Sequence, residues 1–395
     1  MRARGWSAVT LVAALAVAGC SGHTAIGTGT GNSSVSSTVG AAPSAPAVAI
    51  SVTPGDGSQA VRPDVRVVAT AEGGTVISAQ LVSADGQRLQ GRVDSAGWQA
   101  TDALKPGTSY TVTVKAKSDA GTVSKTTTFR TLVPKAYNRT SLVPGDDWTV
   151  GVGMPVVVSF ASPVTNKAAA VKALTVTSTP KVDGAWRWIS STEVQWRPAS
   201  YWPAGTKVLV KAATGGVELS PGVWGRRTVT SSFAVGGAQI STVDVNRHTL
   251  TVKRDGKIVK VIPVTTGMTT SKPNFVTRGG IKVIMSREAT VRMDAASTGT
   301  DPKDPNYYNL LVHWALRLTY SGEFLHAAPW SVGSQGRANV SHGCTGMSDA
   351  NAKWMYDNSH VGDVVVFVGS KRPLEWGNGY TAWNKSFSDW SSAST

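Results

Sequence analysis

The chain has 395 residues, 41% of them hydrophobic, enough for two or three domains that each bury a core. Thirty-nine Lys and Arg stand against 24 Asp and Glu, a formal net charge of +15. Nucleic acid would be the default partner for that charge, but the N-terminus reads as an export signal. The expected partners are therefore the polyanions of a cell envelope: wall polymers, anionic lipid headgroups and peptide carboxylates.

The first segment, "MRARGWSAVTLVAALAVAGC", carries Arg2 and Arg4 ahead of an apolar run from Ala8 to Ala18. This is the charged n-region and short h-region of a signal peptide, too short to span a bilayer permanently. It closes on "VAGC", which resembles a bacterial lipobox and implies that Cys20 is lipidated and becomes the mature N-terminus. Residues 21–47, rich in Ser, Gly, Thr, Ala and Pro, have almost no charge and no large apolar residues, and read as a flexible tether. The expected location is the outer face of the plasma membrane, lipid-anchored and facing the wall.

From residue 48 to 134, "DVRVVATA", "ISAQLVSA", "SYTVTVKAKS" and "SKTTTFRTL" alternate apolar and polar residues between turns such as "KPGT" and "DAGT". That period of two predicts strands with one buried face, packed as an immunoglobulin-like β-sandwich. Residues 135–237 repeat the pattern and predict a second sandwich, with a core around Trp186, Trp188 and Trp196. Neither carries a catalytic constellation, so both read as spacers.

Residues 238–369 form a third, β-rich unit. "RDGK" marks a hairpin turn, "GGIKVIMSREATVRM" adds strands, and "DAASTGTDPKDPNYYN" is a polar insert that reads as a lid or substrate-gripping loop. "SDANAKWMYDNSH" predicts a helix capped by Ser348, and "GDVVVFVG" a final buried strand. The tail, residues 370–395, carries Trp376, Trp383 and Trp390, expected to pack it back on this third domain.

The chemistry gathers at "NVSHGCTGMS", which holds the second of two cysteines. With Cys20 committed to lipid, Cys344 has no intramolecular disulfide partner. No CxxC or HExxH spacing supports a metal site among the six histidines. Nucleophile and inert buried thiol both remain open. A cysteine just ahead of a helix N-terminus would favour thiolate, His326 and His342 are candidate bases, and Gly343 permits close substrate approach. Backbone N–H groups around "HGC" are candidate oxyanion donors.

"HAAPWSVGSQGRANVSHGC" strongly resembles the signature of the L,D-transpeptidases with a YkuD-type catalytic domain: a histidine, a spacer, then Ser/Thr-His-Gly-Cys. Two immunoglobulin-like modules, a YkuD-type domain and a Trp-containing tail look like the mycobacterial and related actinobacterial members. The resemblance implies that Cys344 attacks the carbonyl between the third and fourth residues of a peptidoglycan tetrapeptide stem. D-Alanine would leave, and the amine of a second stem would resolve the thioester into a 3→3 cross-link. His326 would be the base, oriented by the carbonyl of Ala327. His342 and Tyr320 would lie near the thiol and the oxyanion, Gly343 and Cys344 would offer N–H groups, and Ser341, Met293 and Trp330 would line the substrate channel. The resemblance implies no cofactor or metal and acylation by carbapenems, penicillins being poorer. Water or a protein amine as acceptor, giving an L,D-carboxypeptidase or a protein–wall ligase, and a non-catalytic wall-binding scaffold are the alternatives.

One departure stands out. The family continues from cysteine with an apolar residue and then Asn or Arg, whereas this chain has Thr345 and Gly346. The missing side chain predicts slower acylation, and Gly346→Asn is expected to restore it.

Overall fold

The computed structural model describes residues 48–268, 273–298 and 301–392. The signal segment, Cys20 and the tether lie outside the described residues. No helix among those described is long and apolar enough to cross a membrane. The fold is mainly β, immunoglobulin-like sandwich first and catalytic-type domain last.

The alternating segments fold as their period requires. In Ser109–Ser118, Tyr110, Val112, Val114 and Ala116 are buried while their neighbours face water or the rim. That strand pairs with Gly121–Thr131 and Thr75–Ser83 in a five-stranded sheet. A four-stranded sheet built on Ala49–Thr53, Val68–Glu72, Gly97–Ala100 and Gly91–Asp94 completes the sandwich. Leu81, Trp98 and Phe129 fill the space between the two. In the second unit Trp186 and Trp196 are buried, joined by Trp202, whose indole N–H donates to the Met154 carbonyl at 2.7 Å. Trp188 sits at the margin of this core, stacked on Phe160.

The last domain has two sheets. In the five-stranded one, Gln239–Asp244 lies between Thr249–Arg254 and the parallel strand Val364–Val368. The four-stranded one runs Ser286–Asp294, Asn309–Arg317, Phe324–Ala327, Thr345–Met347. Val243, Leu250, Ile262, Leu316, Leu325 and Met347 form the core between them. Each such side chain fully withdrawn from water contributes about 1.5–3 kcal/mol. The helix Asp349–Asn358 begins where Ser348 Oγ accepts the Asn351 N–H, and it buries Ala352 and Met355.

The tail does not fold back only on the domain that precedes it. Its first residues do: Gly279 pairs with Pro373, and the Arg372 guanidinium donates to the Asn274 and Val276 carbonyls. Its tryptophans reach the second sandwich instead. Trp383 Nε1 donates to the Gly153 carbonyl at 2.7 Å and Trp390 Nε1 to the Ala185 carbonyl at 2.8 Å. The Arg197 guanidinium lies over both indole rings. The physical reason is that Gly151 and Gly153 already hydrogen-bond Val361 and Gly362, so sandwich and catalytic-type domain share one apolar seam of Val150, Val283, Val364 and Tyr380. The tail indoles extend that seam.

Candidate active site

A cavity of about 370 Å³ opens on the four-stranded sheet. Cys344, His326, His342 and Ser341 line it, with Met293, Tyr308 and Trp330 among the opposing residues. The pairing of the strands explains the first two. Phe324–Ala327 and Thr345–Met347 are parallel, with His326 opposite Gly346. Cys344 lies two residues before Gly346, and a strand's faces alternate, so thiol and imidazole reach the same side.

His326 is 5% exposed, and its Nδ1 lies 2.7 Å from the Ala327 carbonyl. A carbonyl only accepts, so Nδ1 carries the proton and Nε2 keeps its lone pair. Burial holds the imidazole below its ordinary pKa, against the opposing effect of that carbonyl. The resting ring is neutral. Ala327 therefore acts through its backbone, where an alanine serves as well as any residue.

Cys344 is the free thiol of the described residues, half-buried, with Sγ 3.5 Å from the Gly322 carbonyl. Burial pushes its pKa up to about 12; the Glu323 carboxylate adds to the rise, while the Phe324 N–H, Lys282 and Arg317 oppose it. The expectation of a dipole-stabilised thiolate is thus corrected. A three-residue strand, Thr345–Met347, separates Cys344 from the helix that starts at Asp349, and a helix dipole acts only within its first turn.

The turn that carries the cysteine is tied internally. Ser341 Oγ donates to the Cys344 carbonyl at 2.6 Å and accepts the Gly343 N–H at 3.1 Å. Gly343 has φ +130°, a conformation other residues rarely adopt. Its N–H is therefore spent on Ser341, a correction to its expected part as an oxyanion donor. Ser341 lines the cavity with its hydroxyl already engaged. Cys344 N–H has no acceptor among the described residues. His342 packs between Phe275 and Tyr308, ring centroids 4.5 and 5.1 Å away.

Tyr320 does not take the place expected of it. It is 53% exposed on a turn outside the cavity lining, and partial burial, with the charge of Glu193 adding, pushes its phenol up to about 12. The tyrosine in the cavity is Tyr308, at the end of the polar insert. The register Asp294↔Asn309 and Met293↔Leu310 folds it over the site. Burial pushes its phenol up to about 12, and a charge on the nearby Cys344, were its thiol ionised, adds to the rise. The aromatics closing "NYYN" were the available signal. Met293 packs near Cys344 against Val312, Ala315 and Phe324, and the Trp330 ring lies 6.1 Å from that of His326.

Gly346 overturns the expectation attached to it. Its N–H and carbonyl both bond Thr265 at 2.9 Å, and a Cβ placed there would lie 2.8 Å from Ala328 Cβ and 3.2 Å from Thr265 Cγ2. A β-carbon at this position has to displace Ala328 or Thr265, whatever room the rest of an asparagine side chain finds in the cavity that Gly346 lines. Beneath the site, Glu323 (4% exposed) is paired with Lys282 and Arg278, and Arg278 also meets Glu375 of the tail. Sequence reasoning missed this cluster because its members lie far apart in the chain and belong to no motif. Among the described residues no group of three or more His, Cys, Asp or Glu is placed to hold a metal ion.

A β-rich domain with a thiol, a neutral imidazole of fixed tautomer and an open backbone N–H around one cavity has the parts that an acyl-transfer enzyme needs. Residues 238–367 match the family model described as L,D-transpeptidase catalytic domain, and residues 58–218 the one described as bacterial Ig domain. The chain is 36% identical over 348 residues to L,D-transpeptidase 2 of Mycobacterium tuberculosis, covering 87% of this chain and 84% of that protein. It is 38% identical over 229 residues to L,D-transpeptidase 1 of the same organism, covering 58% and 84%. The solved structure of LD transpeptidase LdtMt1 in complex with imipenem is similar at 37% identity and a TM-score of 0.50, over 58% of this chain and 97% of that one. The chain belongs to the L,D-transpeptidase family.

Proposed function

We propose that the protein forms 3→3 cross-links in peptidoglycan through a thioester on Cys344. The observation that carries this reading is that Cys344 and His326 line one cavity, the imidazole proton fixed on Nδ1 by the Ala327 carbonyl. His326 Nε2 takes the Sγ proton as sulfur bonds to the carbonyl carbon after the third stem residue. The oxyanion that forms is held by the Cys344 N–H. The C–N bond to D-alanine then breaks, the leaving nitrogen takes the proton from His326, and D-alanine departs. The side-chain amine of a second stem attacks the thioester carbon and His326 takes its proton; the C–S bond breaks as the new amide forms, and the sulfur takes the proton back from His326 to regenerate the thiol. Because the resting thiol and imidazole are both neutral, the ion pair forms only as the substrate reacts.

The same thiol would be trapped by a carbapenem, the class to which the imipenem bound to the solved relative belongs. The anchor reading, lipid on Cys20 with the globular part outside the membrane and facing the wall, rests on "VAGC" and the tether behind it. Purified disaccharide-tetrapeptide incubated with the protein, its products read by mass spectrometry, tests the reaction. A dimer joined 3→3 with released D-alanine is expected. Tripeptide alone would make water the acceptor, and no product would end the proposal.

A further inference from the structure

Thr277 carries no charge, belongs to no motif and is 1% exposed. Its hydroxyl nevertheless joins two backbone segments at the site. The Gly267 N–H donates to Thr277 Oγ1 at 2.8 Å, so the single hydroxyl proton goes the other way, to the Gly343 carbonyl at 2.7 Å. The approach is close: a Cβ on Gly267 would lie 3.0 Å from Gly343 Cα and 1.9 Å from the Phe275 carbonyl oxygen. The Thr277 carbonyl is in turn held by the Ser370 hydroxyl of the tail.

The peptide that follows Gly343 is planar and trans, so its C=O and the N–H of Cys344 point in opposite directions. Holding the carbonyl on Thr277 therefore points that N–H away from Thr277, and it belongs to a residue that lines the cavity and finds no acceptor among the described residues. The Gly343 N–H cannot substitute, since Ser341 Oγ holds it. We propose that Thr277 is a positioning residue of the acyl-transfer site, fixing the Gly343–Cys344 peptide so that the Cys344 N–H receives the oxyanion. The inference rests on the reading of Cys344 as the nucleophile.

Thr277→Val keeps the shape and removes the hydroxyl; Thr277→Ser keeps the hydroxyl. In the full chain, acylation of Cys344 by imipenem is followed by intact-protein mass spectrometry with peptide mapping. Thr277→Val is expected to slow the first-order acylation step about ten- to a hundredfold, less than the ~100- to 1000-fold lost when an oxyanion donor is removed outright. Half-saturation should move by less than about threefold, since the donor acts in the transition state. Thr277→Ser should stay within about threefold of the parent. Alkylation of Cys344 by iodoacetamide passes through no oxyanion and should change less than about twofold in both variants. Acylation of Thr277→Val at the parent rate, alkylation falling in parallel with acylation, or a Ser variant as slow as the Val variant would each overturn the role. Failure of the parent protein to be acylated at Cys344 would overturn the reading of the site itself, and the Thr277 role with it.

Discussion

Gly346→Ala adds one methyl group where the structure has no room for it. The new Cβ would lie 2.8 Å from Ala328 Cβ and 3.2 Å from Thr265 Cγ2, against ordinary carbon contacts of about 3.5–4.0 Å. Neither neighbour can easily give. Gly346 is bonded to Thr265 through both its N–H and its carbonyl, and the Ala328 N–H donates to the Met347 carbonyl at 2.7 Å. Overpacking of this kind costs about 1–3 kcal/mol. Removing the opposing methyl with Ala328→Gly costs about 1 kcal/mol alone, in lost burial and backbone entropy. In the double variant the 2.8 Å overlap vanishes and only the milder Thr265 contact remains. The two changes should therefore couple by about 1–2 kcal/mol in the favourable sense, as neighbours do. Native-state hydrogen exchange of peptides covering Phe324–Ala327 and Thr345–Met347 reads the opening free energy of this sheet without averaging over the sandwiches. Gly346→Ala should speed exchange there about five- to 150-fold, and Ala328→Gly should partly reverse it. Because His326 stands opposite Gly346, acylation should slow in the same variant, and slow further in Gly346→Asn. Unchanged exchange in Gly346→Ala, or no rescue by Ala328→Gly, would refute the steric argument.

Imipenem should give a stoichiometric adduct that maps to Cys344, and Cys344→Ala should give none while keeping the parent's circular dichroism; an adduct elsewhere would remove Cys344 from the mechanism. His326→Ala should cost several orders of magnitude in acylation, since base and nucleophile act as a unit. The parent's acylation rate should hold as pH falls to the ordinary histidine range and drop only below it, because burial lowers the His326 pKa and protonation destroys the base; a midpoint above 6.5 would contradict this. Burial raises the Asp363 pKa to about 7, so the folded chain binds a proton there that the unfolded chain releases near the ordinary carboxylate value. Stability should therefore decline as pH rises from about 4 to 7, and Asp363→Asn should flatten that decline in urea titrations at stepped pH. Cys20→Ala should shift the protein from membrane to soluble fractions, and unchanged membrane association would count against the lipid anchor.

What the sequence made legible was whatever local pattern encodes. Alternation in "SYTVTVKAKS" buries every second residue because a strand's side chains do so, and the structure follows it residue by residue. The helix after Ser348 was legible from its cap. His326 and "SHGC" could be paired through a family signature, and the strand register supplies the physical reason for their meeting. Tyr320 and Tyr308 were not separable in the same way. Both are tyrosines near a strand end, and only the fold-back Met293↔Leu310 decides which one covers the cavity. Cys344 gains nothing from the helix dipole, because proximity in sequence to a helix is not proximity to its dipole once a strand intervenes. The tail's partner was hidden for a related reason. Arg197 and Trp383 are far apart in the chain, and nothing local marks them as a stacked pair.

The neutral thiol and the buried charges beneath it follow from one arrangement. Glu323, paired with Lys282 and Arg278, stands immediately before Phe324, whose N–H approaches the Cys344 sulfur. Removing one member would strand the others in a medium that solvates them poorly, a loss of about 3–5 kcal/mol for a buried pair. At the thiol the Glu323 carboxylate and Lys282 act in opposite directions. The cluster's consequence is geometric: it anchors the start of the strand that carries His326 and, through Arg278 and Glu375, joins that strand to the tail. A thiol left neutral at rest also reacts slowly with oxidants, since thiolate is the oxidisable form. For a chain read as exported into an oxidising compartment, with no second cysteine among the described residues, that is a chemical advantage. Under the mechanism proposed above, the nucleophile would be generated only when an acyl donor fills the cavity and His326 Nε2 accepts the proton. Reactivity toward small oxidants and reactivity toward the acyl donor are thereby separated by the same burial that sets both pKa values.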